Sequence, residues 1–149
     1  MKTIAALVVV TVVWIGSGNP QSATRDPQSA EVQKPALDYE TFKLKVQPIF
    51  LAKRPGHARC VSCHASGTPL RLQALSSGAT AWNEEQSRKN FEAVKRFVAP
   101  GSIKSMLLVH PLAEQAGGDF FHSGGKHWNS QSDPEWQTLK AWVFGNTRS

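Results

Sequence analysis

Two cysteines and a histidine stand within five residues of one another, in the stretch "ARCVSCHASG" at 58–67. Cys60 and Cys63 are the only cysteines of the chain, and His64 follows the second directly. Three chemistries use such a cluster: covalent haem attachment, a zinc site, or a dithiol redox pair. On a helical turn Cys60, Cys63 and His64 fall at i, i+3 and i+4, so all three side chains share one face. A flat macrocycle on that face can form two thioethers through its vinyl groups while the imidazole reaches its iron. C-x-x-C-H is the spacing of c-type haem attachment.

The rest of the sequence discriminates among the three. Zinc needs four ligands. Cys60 and Cys63 supply two, and His122 with His127 is the pair that would complete the set. Thioredoxin-like chemistry needs a βαβ pattern around the motif, and none is visible. A disulfide across so short a loop would contribute little loop entropy, so the pair serves chemistry and not stapling. Haem also explains Leu70, Leu72 and Leu75 in an otherwise loop-like stretch, because a large flat cofactor needs apolar walls. The expectation is one covalently bound haem c, with Cys60 and Cys63 as tethers and His64 as the proximal iron ligand.

The other face of the iron can take methionine, histidine or nothing, and the choice sets much of the chemistry. Met106 lies 42 residues after His64, with a core residue beside Leu107 as its plain alternative. His122 lies 58 residues after His64, in a loop whose glycines let backbone approach a flat ligand. His110 before Pro111 and His127 beside Trp128 are further candidates. Arg59, Arg71 and Trp128 are candidates for pairing with haem propionates.

These residues need elements to position them. Residues 38–53, "DYETFKLKVQPIFLAK", place Phe42, Val46, Ile49 and Phe50 in one apolar stripe, which predicts a first amphipathic helix. Pro48 interrupts that pattern and predicts a kink or a second, shorter turn. "NEEQSRKNFEAVKRFVAPG" predicts a helix capped by Asn83, acidic in its first turn, with Phe91, Val94, Phe97 and Val98 inward. Pro100-Gly101 would end it. Ser102 is the expected cap of a short helix through Met106, Leu107 and Leu108, stopped at His110-Pro111. Residues 112–131 read as a long glycine-rich loop, a length that in a small domain points to function. A last helix starts at Asp133-Pro134 and turns Trp136, Leu139, Trp142 and Val143 inward. With no strand alternation, the fold class is all-α.

An amphipathic helix leading into C-x-x-C-H and an aromatic-rich closing helix resemble the class I cytochrome c fold. The resemblance spans roughly residues 38–145 and implies that the first and last helices cross, with Phe42 and Val46 against Leu139 and Trp142. "VQPIF", "RCVSCH", "APGS" and "HPL…GGDFFHSGGKHW" are similar more narrowly to the planctomycete-type cytochrome c domain. There the His-x-Gly-Gly element matches His122-Ser123-Gly124-Gly125. That likeness puts His122 first as distal ligand, Met106 second and His110 third. It also implies that the Gly-rich loop lies over the haem.

Lys2 followed by an apolar run over 4–15 reads as a secretory signal peptide, 1–23, too short for the roughly 20 residues of a membrane span. An uncleaved anchor is the alternative. Residues 24–37 read as a flexible linker, and 38–149 as the cytochrome domain. Without the signal, which carries Lys2 and no acidic residue, 16 of the 17 Lys and Arg face 11 Asp and Glu. That charge favours acidic partners, while the absence of a basic run argues against nucleic acid. No catalytic base is readable, so an electron carrier is expected rather than an enzyme. It would be exported to a bacterial periplasm or the outer face of the cytoplasmic membrane, meeting redox proteins transiently or as a subunit of a membrane redox complex. Two other readings stand beside it: a ligand-binding or peroxide-reducing haem protein with an open iron site, and a zinc-stabilised interaction module.

Overall fold

Pro48 has no N–H to donate into a helix, and the chain meets that lack one turn earlier. In the computed structural model, which describes residues 34–146, the first helix is α over Tyr39–Thr41, π over Phe42–Val46 and α again over Gln47–Leu51. The Gln47 N–H bonds the Phe42 carbonyl five residues back. The π turn absorbs the irregularity, so the helix neither stops nor restarts at Pro48. It ends at Leu51, two residues short of the expected Lys53, and its start is capped by Asp38 accepting from the Thr41 N–H.

The described residues are helical with no strand. The motif helix spans Cys60–His64, a longer helix Glu84–Lys95, a short one Met106–Val109 and the last Pro134–Val143. None is long and apolar enough to cross a membrane. Asn83 and Gln86 form a reciprocal capping box at the long helix. That helix stops at Lys95, before Phe97 and Val98, and its most buried side chains are Ser87, Asn90 and Val94. The polar pair is satisfied: Gln47 Nε2 donates to Ser87 Oγ at 3.0 Å, and the Gln73 N–H to Asn90 Oδ1 at 2.7 Å. Sequence periodicity marks apolar faces and misses such a pair.

Ser102 does not cap the short helix. Ser105 precedes Met106 instead, and the Ser105 N–H closes a turn on the Ser102 carbonyl at 3.1 Å. The last helix follows the sequence expectation: Asp133 caps it, Pro134 opens it, and Trp136, Leu139, Trp142 and Val143 are buried. It packs on the first helix. Phe42 and Trp142 rings lie 5.4 Å apart, and the Trp142 indole N–H donates to the Asp38 carbonyl at 2.8 Å. Phe42, Val46, Leu139 and Trp142 are all fully buried in one core.

At the end of the stretch read as linker, Leu37 packs on this core and Pro35 sits beside Gly145. The signal reading of 1–23 and the linker up to residue 33 lie outside the described residues. Residues 112–131 are ordered by a 3₁₀ turn at Glu114–Ala116 and an isolated parallel bridge between Leu112 and Trp128.

Candidate functional site

The motif helix, the leucine-bearing loop and the glycine-rich loop enclose an apolar cleft of about 270 Å³, open on one side. Cys60, Cys63, His64, Met106, His110, His122 and His127 all line it. Residues as far apart in sequence as Cys60 and His127 therefore converge on one cavity. Leu70 and Leu72 form part of its wall, and the Leu72 N–H bonds the His64 carbonyl at 2.7 Å. Two of the three loop leucines thus wall the cleft, as the sequence expected, while Leu75 lies outside its lining and packs on the core.

Both cysteines are free thiols, with Cys63 exposed and Cys60 half-buried. Burial raises the Cys60 pKa, against the opposing pull of Arg54, whose Nη1 lies 3.9 Å from the sulfur.

His64 Nδ1 lies 3.0 Å from the Leu70 carbonyl and 3.0 Å from Thr68 Oγ1. A carbonyl only accepts, so Nδ1 carries the proton and Nε2 keeps the lone pair. Burial, then the neighbouring His122 and His110, lower the His64 pKa, partly offset by the bond to Leu70. The imidazole stays neutral at neutral pH, the form a metal requires.

His122 is built in the same way. Its Nδ1 donates to the Gly125 carbonyl at 2.6 Å, which again leaves Nε2 with the lone pair. The Gly125 N–H returns a bond to the His122 carbonyl at 2.9 Å, closing a turn. That turn requires φ +78° at Gly125, a conformation natural to glycine. At Gly124 a side chain would meet the His122 ring at 3.3 Å. The two glycines of the His-x-Gly-Gly element therefore shape and clear the turn that holds the histidine.

The His64 and His122 rings lie 6.2 Å apart, centroid to centroid, with planes 19° from parallel. A metal–imidazole bond of about 2.0 Å, with roughly 1.2 Å from nitrogen to ring centre, sets two imidazoles on opposite sides of one metal about 6.4 Å apart. The centroid separation of this stacked pair is close to that span. His64 has no such ring pairing with His110. That ring lies 5.7 Å from His122 at 52°, its Nδ1 bonded to the Asp119 carboxylate. Met106 is 45% exposed at the cleft and is not the core residue of its plain alternative.

Among the described residues no three His, Cys, Asp or Glu side chains are grouped to hold a metal ion. Cys60, Cys63, His122 and His127, the four residues named for zinc, are not grouped in that way. His127 instead faces His57, ring centres 4.9 Å apart, and its Nδ1 is buried without a partner. Burial, with Arg54 and the neighbouring histidines, lowers the His127 pKa to about 4.

Arg54, within a Lys-Arg-Pro-Gly run, is a hub beneath the cleft. Its side chain, 11% exposed, bonds Glu135 through Nε at 2.6 Å and Nη2 at 2.5 Å, and the Ile49 carbonyl at 3.0 Å. The guanidinium lies over the Trp128 ring, and the Trp128 indole N–H donates to the same carboxylate at 3.2 Å. Trp128 is thus committed inward and does not serve a propionate. Arg59 lines the cleft, whereas Arg71 is exposed and outside its lining. A Lys or Arg followed by Pro-Gly carries no sequence signal of such a hub.

Comparison with protein-family models, curated proteins and solved structures finds no match for this chain.

Proposed function

We propose that this chain is a monohaem c-type cytochrome with a cytochrome c-like arrangement of its helices, carrying single electrons. The observation that carries the reading is the His64–His122 pair: near-parallel rings 6.2 Å apart, each with Nδ1 anchored to a backbone carbonyl. Cys60 and Cys63 would tether the haem through thioethers, and His64 and His122 would be the residues that hold its iron. Bound haem supplies a one-electron ferrous–ferric couple.

The chain's own residues would hold and tune it. The Leu70 and Gly125 carbonyls fix both tautomers and ring planes, and raise the basicity of each Nε2. Leu70 and Leu72 exclude water from the cleft. Two imidazoles in place of an imidazole and a thioether favour a lower potential. Arg59 at the cleft offers a cation for a propionate. The mature chain's net positive charge favours acidic redox partners, met in transient contacts or within a membrane redox complex. Export to the periplasm or the outer face of the cytoplasmic membrane would supply the compartment this chemistry uses.

A pyridine haemochrome spectrum of the protein, expressed with haem maturation factors, tests the attachment. A c-type spectrum at one haem per chain is expected; a colourless protein would sink the proposal. Low-spin ferric signals should be lost in His122→Ala and kept in Met106→Ala and His110→Ala. Loss in Met106→Ala alone would move the ligand there. A five-coordinate, high-spin unmodified protein would favour the open-iron alternative.

A further inference from the structure

The loop that carries His122 is closed at its base by one ammonium group. Lys126 Nζ lies 2.5 Å from the Asp119 carbonyl, 2.9 Å from the His110 carbonyl and 3.1 Å from Asp119 Oδ1. An ammonium has three protons, and here three oxygens surround it. The side chain is 22% exposed, so these bonds compete with little water. The other oxygen of Asp119 meets His110 Nδ1, and the Asp119 N–H donates to the Val109 carbonyl at 3.0 Å. Burial pushes the Asp119 pKa up, but hydrogen bonds from His110 and Lys126 outweigh it and hold the carboxyl below its ordinary range.

His122 lies between these tied ends, on residues 120–125. Within that stretch its own turn on Gly125 orients the ring but does not attach it to the rest of the domain. Beyond Lys126 the chain is anchored independently: the His127 and Trp128 N–H groups bond the Pro111 carbonyl, and the Ala113 N–H the Trp128 carbonyl. Loss of the ammonium therefore unties Lys126 from the 119 end, which keeps its own bonds to Val109 and His110, and leaves the core and the 127–128 anchor in place.

We propose that Lys126 is the positioning residue that keeps His122 presented to His64, and so keeps the cleft's second face closed to small exogenous ligands. This rests on the haem reading and deepens it. Closure belongs to the clamp as well as to the histidine. With the clamp open, His122 swings away with its loop and a small ligand such as carbon monoxide reaches the site.

The test uses the haem-loaded full chain in three forms: unmodified, Lys126→Met, and Lys126→Cys before and after alkylation of the new thiol with bromoethylamine, which restores an ammonium. In the loaded chain Cys60 and Cys63 are taken up as thioethers, so only the new thiol reacts. Haem content and thermal melting should stay close to the unmodified values in every form. Carbon monoxide binding to the ferrous protein and the high-spin ferric fraction should rise about tenfold in Lys126→Met, the scale of a lost charge-assisted bond. Alkylation should return both to the unmodified level. A Lys126→Met protein that stays low-spin and inert to carbon monoxide would overturn the clamp, as would alkylation without recovery. An unmodified chain without covalent haem would overturn the haem reading instead. In that event, or if Lys126→Met takes up no haem, hydrogen exchange on the haem-free chains reads the same clamp. Amides of 120–125 must then exchange faster in Lys126→Met, and equal rates would overturn it.

Discussion

Gly125→Ala isolates what the turn around His122 contributes. Gly125 sits at φ +78°, where an L-residue brings its Cβ against backbone. Nothing else opposes the substitution: the nearest atom to an added Cβ is His57 Nδ1, at an ordinary contact distance of 3.8 Å. The penalty is therefore one of backbone conformation, about 1–2 kcal/mol. It falls on the turn alone, because the two bonds that close it both join residue 122 to residue 125. A penalty of that size changes a local equilibrium by a factor of roughly 5 to 30. The haem-loaded Gly125→Ala protein should show a comparable rise in carbon monoxide association, with global urea stability lowered by no more than the same 1–2 kcal/mol. Gly125→Asn supplies the control, since asparagine enters the left-handed region far more readily than alanine. It should recover most of the loss. The reasoning fails if Ala and Asn are equally damaging, because the cause would then be the side chain and not the backbone. It fails equally if Gly125→Ala leaves ligand binding unchanged.

Gly118→Ala should be worse than Gly125→Ala in a urea melt, since its Cβ would collide with the Leu112 carbonyl, a backbone atom that cannot swing aside. Trp142→Ala removes a fully buried side chain at the contact of first and last helices, and calorimetry should read a loss of about 3–5 kcal/mol. Arg54→Met leaves the Ile49 carbonyl without that donor and Glu135 with the Trp128 indole N–H alone; with Glu135 about a third exposed, chemical denaturation should show a loss of about 2 kcal/mol. For Asp119 the folded pKa is depressed below 3.8, so its contribution to the clamp is fully present above that pH. It is lost as the pH falls through the lower folded value. Hydrogen exchange on residues 120–125 should therefore accelerate below pH 3.8 in the unmodified chain, with the acid step absent in Asp119→Asn.

Which parts of this architecture a sequence discloses depends on how locally each is determined. Asp133, Pro134 and the spacing of Trp136, Leu139, Trp142 and Val143 act within one helix, and the helix forms where they place it. Cys60, Cys63 and His64 are equally local, and the single helical turn that carries them is legible from their spacing alone. The Phe42–Trp142 contact was reachable only through resemblance to a known fold, because its partners lie a hundred residues apart. Pro48 shows a different limit. The pattern announces that a hydrogen bond is missing but not where the chain will make the adjustment, and here the π turn precedes the proline. Buried polar groups carry no periodic signal at all. Ser87, Asn90 and Gln47 look like surface residues until their partners are seen, and Arg54 looks like punctuation.

The second histidine combines both situations. Its local half is readable: His122 with two following glycines is a turn that ties its own Nδ1 and leaves Nε2 free. Its distant half is not, because a turn can orient a ring without deciding what the ring faces. That decision lies in the contacts of the loop's two ends. Lys126 joins them through three oxygens, two on Asp119 and one on His110, while Asp119 reaches the end of the short helix. A lysine directly after a His-x-Gly-Gly turn is thus the nearest thing in the sequence to a signal for closure. It becomes meaningful only with an acidic residue several positions earlier and a histidine at the start of the loop. Removing the lysine and removing the glycine should both open the cleft, the first by freeing the loop and the second by unmaking the turn. Hydrogen exchange separates the two causes. Lys126→Met should expose the whole of 120–125, whereas Gly125→Ala should expose the Gly125 amide while leaving the Asp119 amide protected.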